Sequence, residues 1–141
     1  MNLLNILVII GSLALLNGCS KDPLVQDFDV PLVQGYHLIS TDVDDVEVAM
    51  LHPRFSSCIP AKVVEVGWNT NFIVAKQQEL RNRGDFPGDT LPVPVAGKFS
   101  FWIIDLRGTN CFGPMTEADY YSKLQTLGQS PLQMRQISKL R

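Results

Sequence analysis

Apolar and polar positions follow one another along this chain in three rhythms. From Leu3 to Leu16 the apolar run is nearly continuous, broken only by Asn5, Gly11 and Ser12. After a polar interval rich in Asp, the period drops to two. Segments 36–41 and 46–51 predict two strands around the acidic turn Asp42-Val43-Asp44-Asp45. Pro53 and Pro60 bracket an irregular link that carries Cys58. Within 62–68, the residues Val64, Val66 and Trp68 share a face; Asn69-Thr70-Asn71 supplies turn chemistry and 72–77 returns as the partner strand. Residues 78–97 are first charged and then rich in Gly and Pro, which predicts a long loop of the kind that tends to be functional or mobile. The strongly apolar segment 99–105 predicts a central strand, with 106–110 turning the chain and 111–112 as a short return ended by Gly113-Pro114.

The last third reads as helical. Thr116 is a good N-cap and Glu117 and Asp119 fall in the first turn, where the helix dipole favours acids. A helix is expected over 117–127, stopped by Gly128. Ser130-Pro131 predicts a second helix carrying Leu132, Ile137 and Leu140. Together these elements predict an α+β domain: one antiparallel sheet of about five or six strands, with one or two C-terminal helices packed on it.

The N-terminal run has the length of a signal-peptide h-region and falls short of the roughly 20 apolar residues of a membrane-spanning helix. It ends in Leu16-Asn17-Gly18-Cys19, and the first charged side chain is Lys21. Small or turn-forming residues before a cysteine let an extended backbone enter a lipoprotein signal peptidase, and the thiol accepts the diacylglyceryl group. The pattern resembles the bacterial lipobox, with Asn17 a less usual occupant and no Lys or Arg in the n-region. Residues 1–18 are therefore expected to be a lipoprotein signal peptide, 19–34 the lipidated Cys19 with a flexible tether, and 35–141 a single globular domain. Each buried methylene of an acyl chain contributes about 0.8 kcal/mol, so two or three chains hold such a domain at the membrane surface. Ser20, where an Asp would mark inner-membrane retention, points to the outer membrane facing the periplasm in a Gram-negative cell. In a Gram-positive cell the same anchor places the domain outside the plasma membrane.

Composition narrows the function classes. A net charge of −2, a pI near 5.6 and no basic stripe argue against a nucleic-acid partner. Charge is nevertheless uneven. Asp42, Asp44, Asp45 and Glu47 form an acidic cluster and are the candidate partner-binding residues, whereas Lys123, Arg135, Lys139 and Arg141 are the only charges beyond Asp119. With Cys19 lipidated, Cys58 and Cys111 remain in an oxidising compartment, where a pair usually bridges. Closing that loop would stabilise the fold by about 4 kcal/mol; two separately buried thiols are the alternative. His37 and His52 sit in no ligand spacing and accompany no nucleophile motif, so neither a metal, a cofactor nor a catalytic residue is expected. The acidic cluster lacks the Gly and terminal Glu of an EF-hand loop. The aromatics Trp68, Phe72, Phe99, Phe101 and Trp102 read as core, with some available for a partner-facing patch. This balance favours a binding module over an enzyme.

Several segments together carry a resemblance. Ile59-Pro60-Ala61-Lys62-Val63 leads into Val66-Gly67-Trp68-Asn69-Thr70-Asn71 and Phe72-Ile73-Val74-Ala75-Lys76-Gln77. Phe101-Trp102-Ile103-Ile104-Asp105, Phe112-Gly113-Pro114-Met115 and the 116–128 helix follow in order. This succession resembles a group of small, mostly uncharacterised bacterial lipoproteins that includes immunity lipoproteins against type VI secretion phospholipase toxins. The resemblance implies a lipid-tethered protein-binding domain that neutralises a periplasmic lipase, and it implies no catalytic residues. The competing expectation is a structural or sensory envelope lipoprotein without a toxin partner.

Overall fold

The computed structural model describes residues 28–42 and 44–140. The expected signal peptide, Cys19 and most of the expected tether lie outside the described residues. Strands β1 (Phe28–Pro31), β2 (Tyr36–Asp42), β3 (Asp45–Met50) and β4 (Ser56–Ile59) form an antiparallel meander in the order β1-β2-β3-β4, here sheet A. Strands β5 (Val63–Trp68), β6 (Phe72–Asn82), β7 (Pro92–Asp105), β8 (Asn110–Met115) and β9 (Arg135–Gln136) form sheet B, ordered β8-β7-β6-β5-β9. Helix α1 spans Glu117–Thr126, and Ile137–Lys139 makes a single 3-10 turn. The described residues are thus mainly β, with two sheets and one α-helix, rather than a single α+β sheet under one or two helices.

The strand periodicity explains the layering. Leu38, Val46, Val48 and Ile59 project from sheet A onto Val63, Val66, Ile73, Ala75 and Ile104 of sheet B, so the sheets pack face to face. The alternate residues of sheet B, Phe72, Val74, Phe101 and Ile103, face the other way and are covered by Tyr120 and Leu124 of α1. Sheet B is therefore buried on both faces at its centre, which is why Phe72–Ala75 and 101–104 read as unbroken apolar runs. Side chains of two faces in a sequence show that two layers cover a strand, but not what those layers are.

Local chemistry sets the turns. Asn69 Oδ1 accepts from the amides of Asn71 and Phe72 at 2.9 and 2.8 Å, closing the β5–β6 hairpin where turn residues predicted it. Thr116 Oγ1 accepts from the Asp119 amide at 3.2 Å and caps α1. The helix stops at Gly128, whose φ of +71° lets the chain leave without a Cβ clash.

Four expectations change. Strand β1 lies inside the expected tether: Phe28 pairs with Ser40 and Val30 with Leu38, and their partly buried side chains pack on the core. An apolar alternation only two side chains long is hidden by its acidic neighbours. The expected second helix does not form. Residues 129–134 instead form no regular element, pass Gly67 of β5 at Gln133 and lead into β9, which pairs Glu65 with Gln136 and Val66 with Arg135. Gly67 makes room for this: a Cβ there would lie 2.5 Å from the carbonyl oxygen of Gln133. The link around Cys58 is strand β4, and the loop at 78–97 is largely strand, described next.

Candidate functional site

Strands β6 and β7 outrun their neighbours. Pairing of β5 to β6 ends at Gln77 and pairing of β8 to β7 ends at Phe101, yet β6 and β7 continue together to the Asn82–Pro92 pair. The outer part of this hairpin is a two-stranded arm standing off sheet B. Between the Gln78–Phe99 and Leu80–Pro94 pairs, residues 95–98 stand opposite Glu79 alone, a bulge that bends the arm. Gln78 Nε2 bridges it by donating to the Val95 carbonyl at 3.3 Å. Proline and glycine concealed this strand in the sequence because an exposed ribbon tolerates the missing amide of Pro92 and Pro94.

One carboxylate organises the tip. Asp89 accepts from Arg83 Nε at 2.8 Å and from the amides of Asp85 and Leu91 at 3.1 and 3.2 Å. The Arg83 guanidinium holds the Asp89 carboxyl below its usual 3.8, outweighing burial, with the two amides adding to the effect. This arrangement presents Phe86 and Leu91, which are 59 % and 52 % exposed.

The arm bends over the β2–β3 turn. Leu80, Leu91, Pro92 and Val93 from the arm, Ala61 from the link before β5, and Thr41, Asp42, Asp44 and Asp45 from the turn line a groove of about 700 Å³. Among the described residues, three carboxylates and no cation belong to this lining. Thr41 donates to Asp45, Lys62 reaches Asp44 from beside the groove, and Asp42 is engaged as well. An acidic wall facing an apolar wall suits a partner segment that carries both basic and apolar side chains.

Of the acidic cluster singled out in the sequence, the fold brings Asp42, Asp44 and Asp45 together and leaves Glu47 apart. Glu47 alternates with the buried Val46 and Val48, so it points away from the core, where it accepts from Ser57. Sequence reasoning missed the apolar wall, because Leu80 and Leu91 to Val93 belong to another sheet and nothing in their local pattern signals the turn. Among the aromatics, Phe72 and Phe101 are buried, Trp68 and Trp102 pack partly buried on the inter-sheet core, and Phe99 is 42 % exposed beneath the Lys76 ammonium.

His37 Nδ1 lies 2.6 Å from Asp29 Oδ1, tying β1 to β2, and His52 is exposed. Among the described residues, no three His, Cys, Asp or Glu side chains converge as a metal-holding group. A second hollow of about 370 Å³ opens between Val46 and the Val63–Glu65 stretch, but its cations are engaged, Lys62 by Asp44 and Lys76 by the Phe99 ring at 4.4 Å. Cys58 and Cys111 are thiols here and lie beside each other. Among the described residues, no helix is long and apolar enough to cross a membrane.

A family model described as "Protein of unknown function" matches residues 33–137, nearly the whole of the two sheets and the helix. No curated protein and no solved structure matches the chain.

Proposed function

This chain belongs to the DUF3997 family, and from the Leu16-Asn17-Gly18-Cys19 sequence and the geometry of the arm we propose that it is a membrane-tethered protein-binding domain. Cys19 carries the lipid, the segment up to Phe28 spaces the fold from the bilayer, and the groove between the arm and the acidic turn receives the partner. The observation that carries this reading is the arm itself. An ordered ribbon with exposed Phe86 and Leu91, held in shape by Asp89, adds nothing to the core and borders three carboxylates. Contiguous exposed apolar surface rimmed by polar groups marks contact sites. The partner it fits is a protein presenting a basic and apolar edge. The resemblance of the 59–77 and 101–128 segments directs the reading further, to a periplasmic phospholipase toxin of a type VI secretion system, which makes this protein its immunity partner.

A toxicity assay tests that assignment. A type VI secretion phospholipase toxin is exported to the periplasm with and without the full-length protein, and survival is counted. Protection by the wild type, reduced by Asp45→Lys, supports immunity through the groove. No protection by the wild type removes the toxin and leaves a structural or sensory envelope partner.

A further inference from the structure

Cys58 lies on β4 and Cys111 on β8, the outermost strands of sheet A and sheet B. The two residues are 53 positions apart, yet the Cys111 thiol donates to the Cys58 carbonyl oxygen at 3.2 Å. Register explains the meeting. Cys111 stands opposite Ile104, and directly opposed residues of an antiparallel pair project to the same face. Ile104 faces the inter-sheet core, so Cys111 lies on that face of sheet B, at its exposed edge. Cys58 packs against that same core at the bulge between the Val48–Ile59 and Ala49–Ser57 pairs. Tyr36 completes the cluster: its phenol is pushed up to about 12, first by burial and then by the Cys58 thiol, with Cys111 contributing.

We propose that Cys58 and Cys111 form a disulfide that clamps the two sheets together edge to edge. The main chain of one cysteine already touches the thiol of the other. Cys58 Sγ rests 3.7 Å from the Ser56 carbonyl and has to leave that contact to meet the Cys111 sulfur. The oxidant is an external disulfide, either oxidised glutathione or the disulfide of an oxidoreductase. One cysteine thiolate attacks a sulfur of that disulfide, forming a mixed disulfide and releasing one thiol. The second cysteine then attacks the protein sulfur of the mixed disulfide and displaces the other thiol. Two protein thiols are oxidised, one external disulfide is reduced to two thiols, and the two protons pass to the released thiolates. The clamp encloses β5, β6 and β7, so it restricts the unfolded chain and raises the melting temperature. It joins the sheets near Ala49 and Ile104 and stands whether or not the groove binds a protein.

The test uses the full chain. It is incubated with oxidised glutathione, unfolded in alkylating reagent, digested and mapped, and its Tm is measured before and after reduction. The expected result is a Cys58 peptide linked to a Cys111 peptide and a Tm lower by about 10 °C or more on reduction. The linked peptide should vanish in Cys58→Ser and in Cys111→Ser, and because the thermal comparison uses the wild type alone, poor folding of a variant does not affect it. Alkylation of both cysteines, a glutathione adduct in place of the link, or a link through Cys19 overturns the proposal. A Cys58–Cys111 link with an unchanged Tm overturns the clamp.

Discussion

Arg83 Nε and the Asp89 carboxylate meet at 2.8 Å across the tip of the β6–β7 arm, and the same carboxylate holds the Asp85 and Leu91 amides. Removing it by Asp89→Ala leaves three donors without that acceptor. Amide exchange at Asp85 and Leu91 should rise at least about tenfold, while Tm moves by less than about 2 °C, because the arm lies outside the core. A large fall in Tm would show that the arm is part of the cooperative unit.

The same carboxylate gives the arm a pH dependence. Its pKa is lowered in the folded state by Arg83, so its contribution is complete above the ordinary value of 3.8 and is lost as pH falls through the lower folded value. Exchange at Asp85 and Leu91, corrected for intrinsic rates, should therefore stay flat down to about pH 4 and rise below it. A rise beginning near neutrality would assign the tip to another group.

Gly67 and Gln133 approach too closely for any side chain at position 67. Because the obstacle is main chain, it cannot rotate away. Gly67→Ala should cost about 2 kcal/mol in urea unfolding by displacing the segment that leads into β9. An unchanged midpoint would mean that this segment does not lie over β5.

Tyr120 is 1 % exposed, and its hydroxyl has no hydrogen-bond partner among the described residues. Burial also pushes its pKa up to about 12, with Tyr121 adding to the effect. Tyr120→Phe removes an unsatisfied polar atom and keeps the ring that packs on Phe101 at 5.1 Å. It should leave stability unchanged or raise it by up to about 1 kcal/mol. A loss of that size would reveal a partner for the hydroxyl.

Much of this architecture was legible where local chemistry decides it. The Asn69 turn, the Thr116 cap and the stop at Gly128 stand where the sequence predicts them, because each depends on groups a few residues apart. What depends on distant chain was not legible. The apolar runs of β6 and β7 indicate burial on both faces, but the division of strands into two sheets follows from which faces meet. The tail after Pro131 reads as helix until Gly67 is seen to accept it as a covering segment. At the groove, the charge of the β2–β3 turn was visible, and its opposing wall was not, since that wall comes from a ribbon whose prolines imitate a loop.

The central claim is that a protein partner docks between the arm and the acidic turn. A photo-reactive residue placed at Leu91 in the full chain tests it most directly, with Tyr121 on the exposed side of α1 as the comparison site. The account predicts one discrete protein adduct from position 91 and none from 121. It also predicts that yield falls several-fold when Asp44→Asn and Asp45→Lys are combined, because weakening the attraction slows association, and that added salt removes this difference. No adduct from position 91, or an adduct equally strong from 121 and insensitive to the charge change, would contradict it.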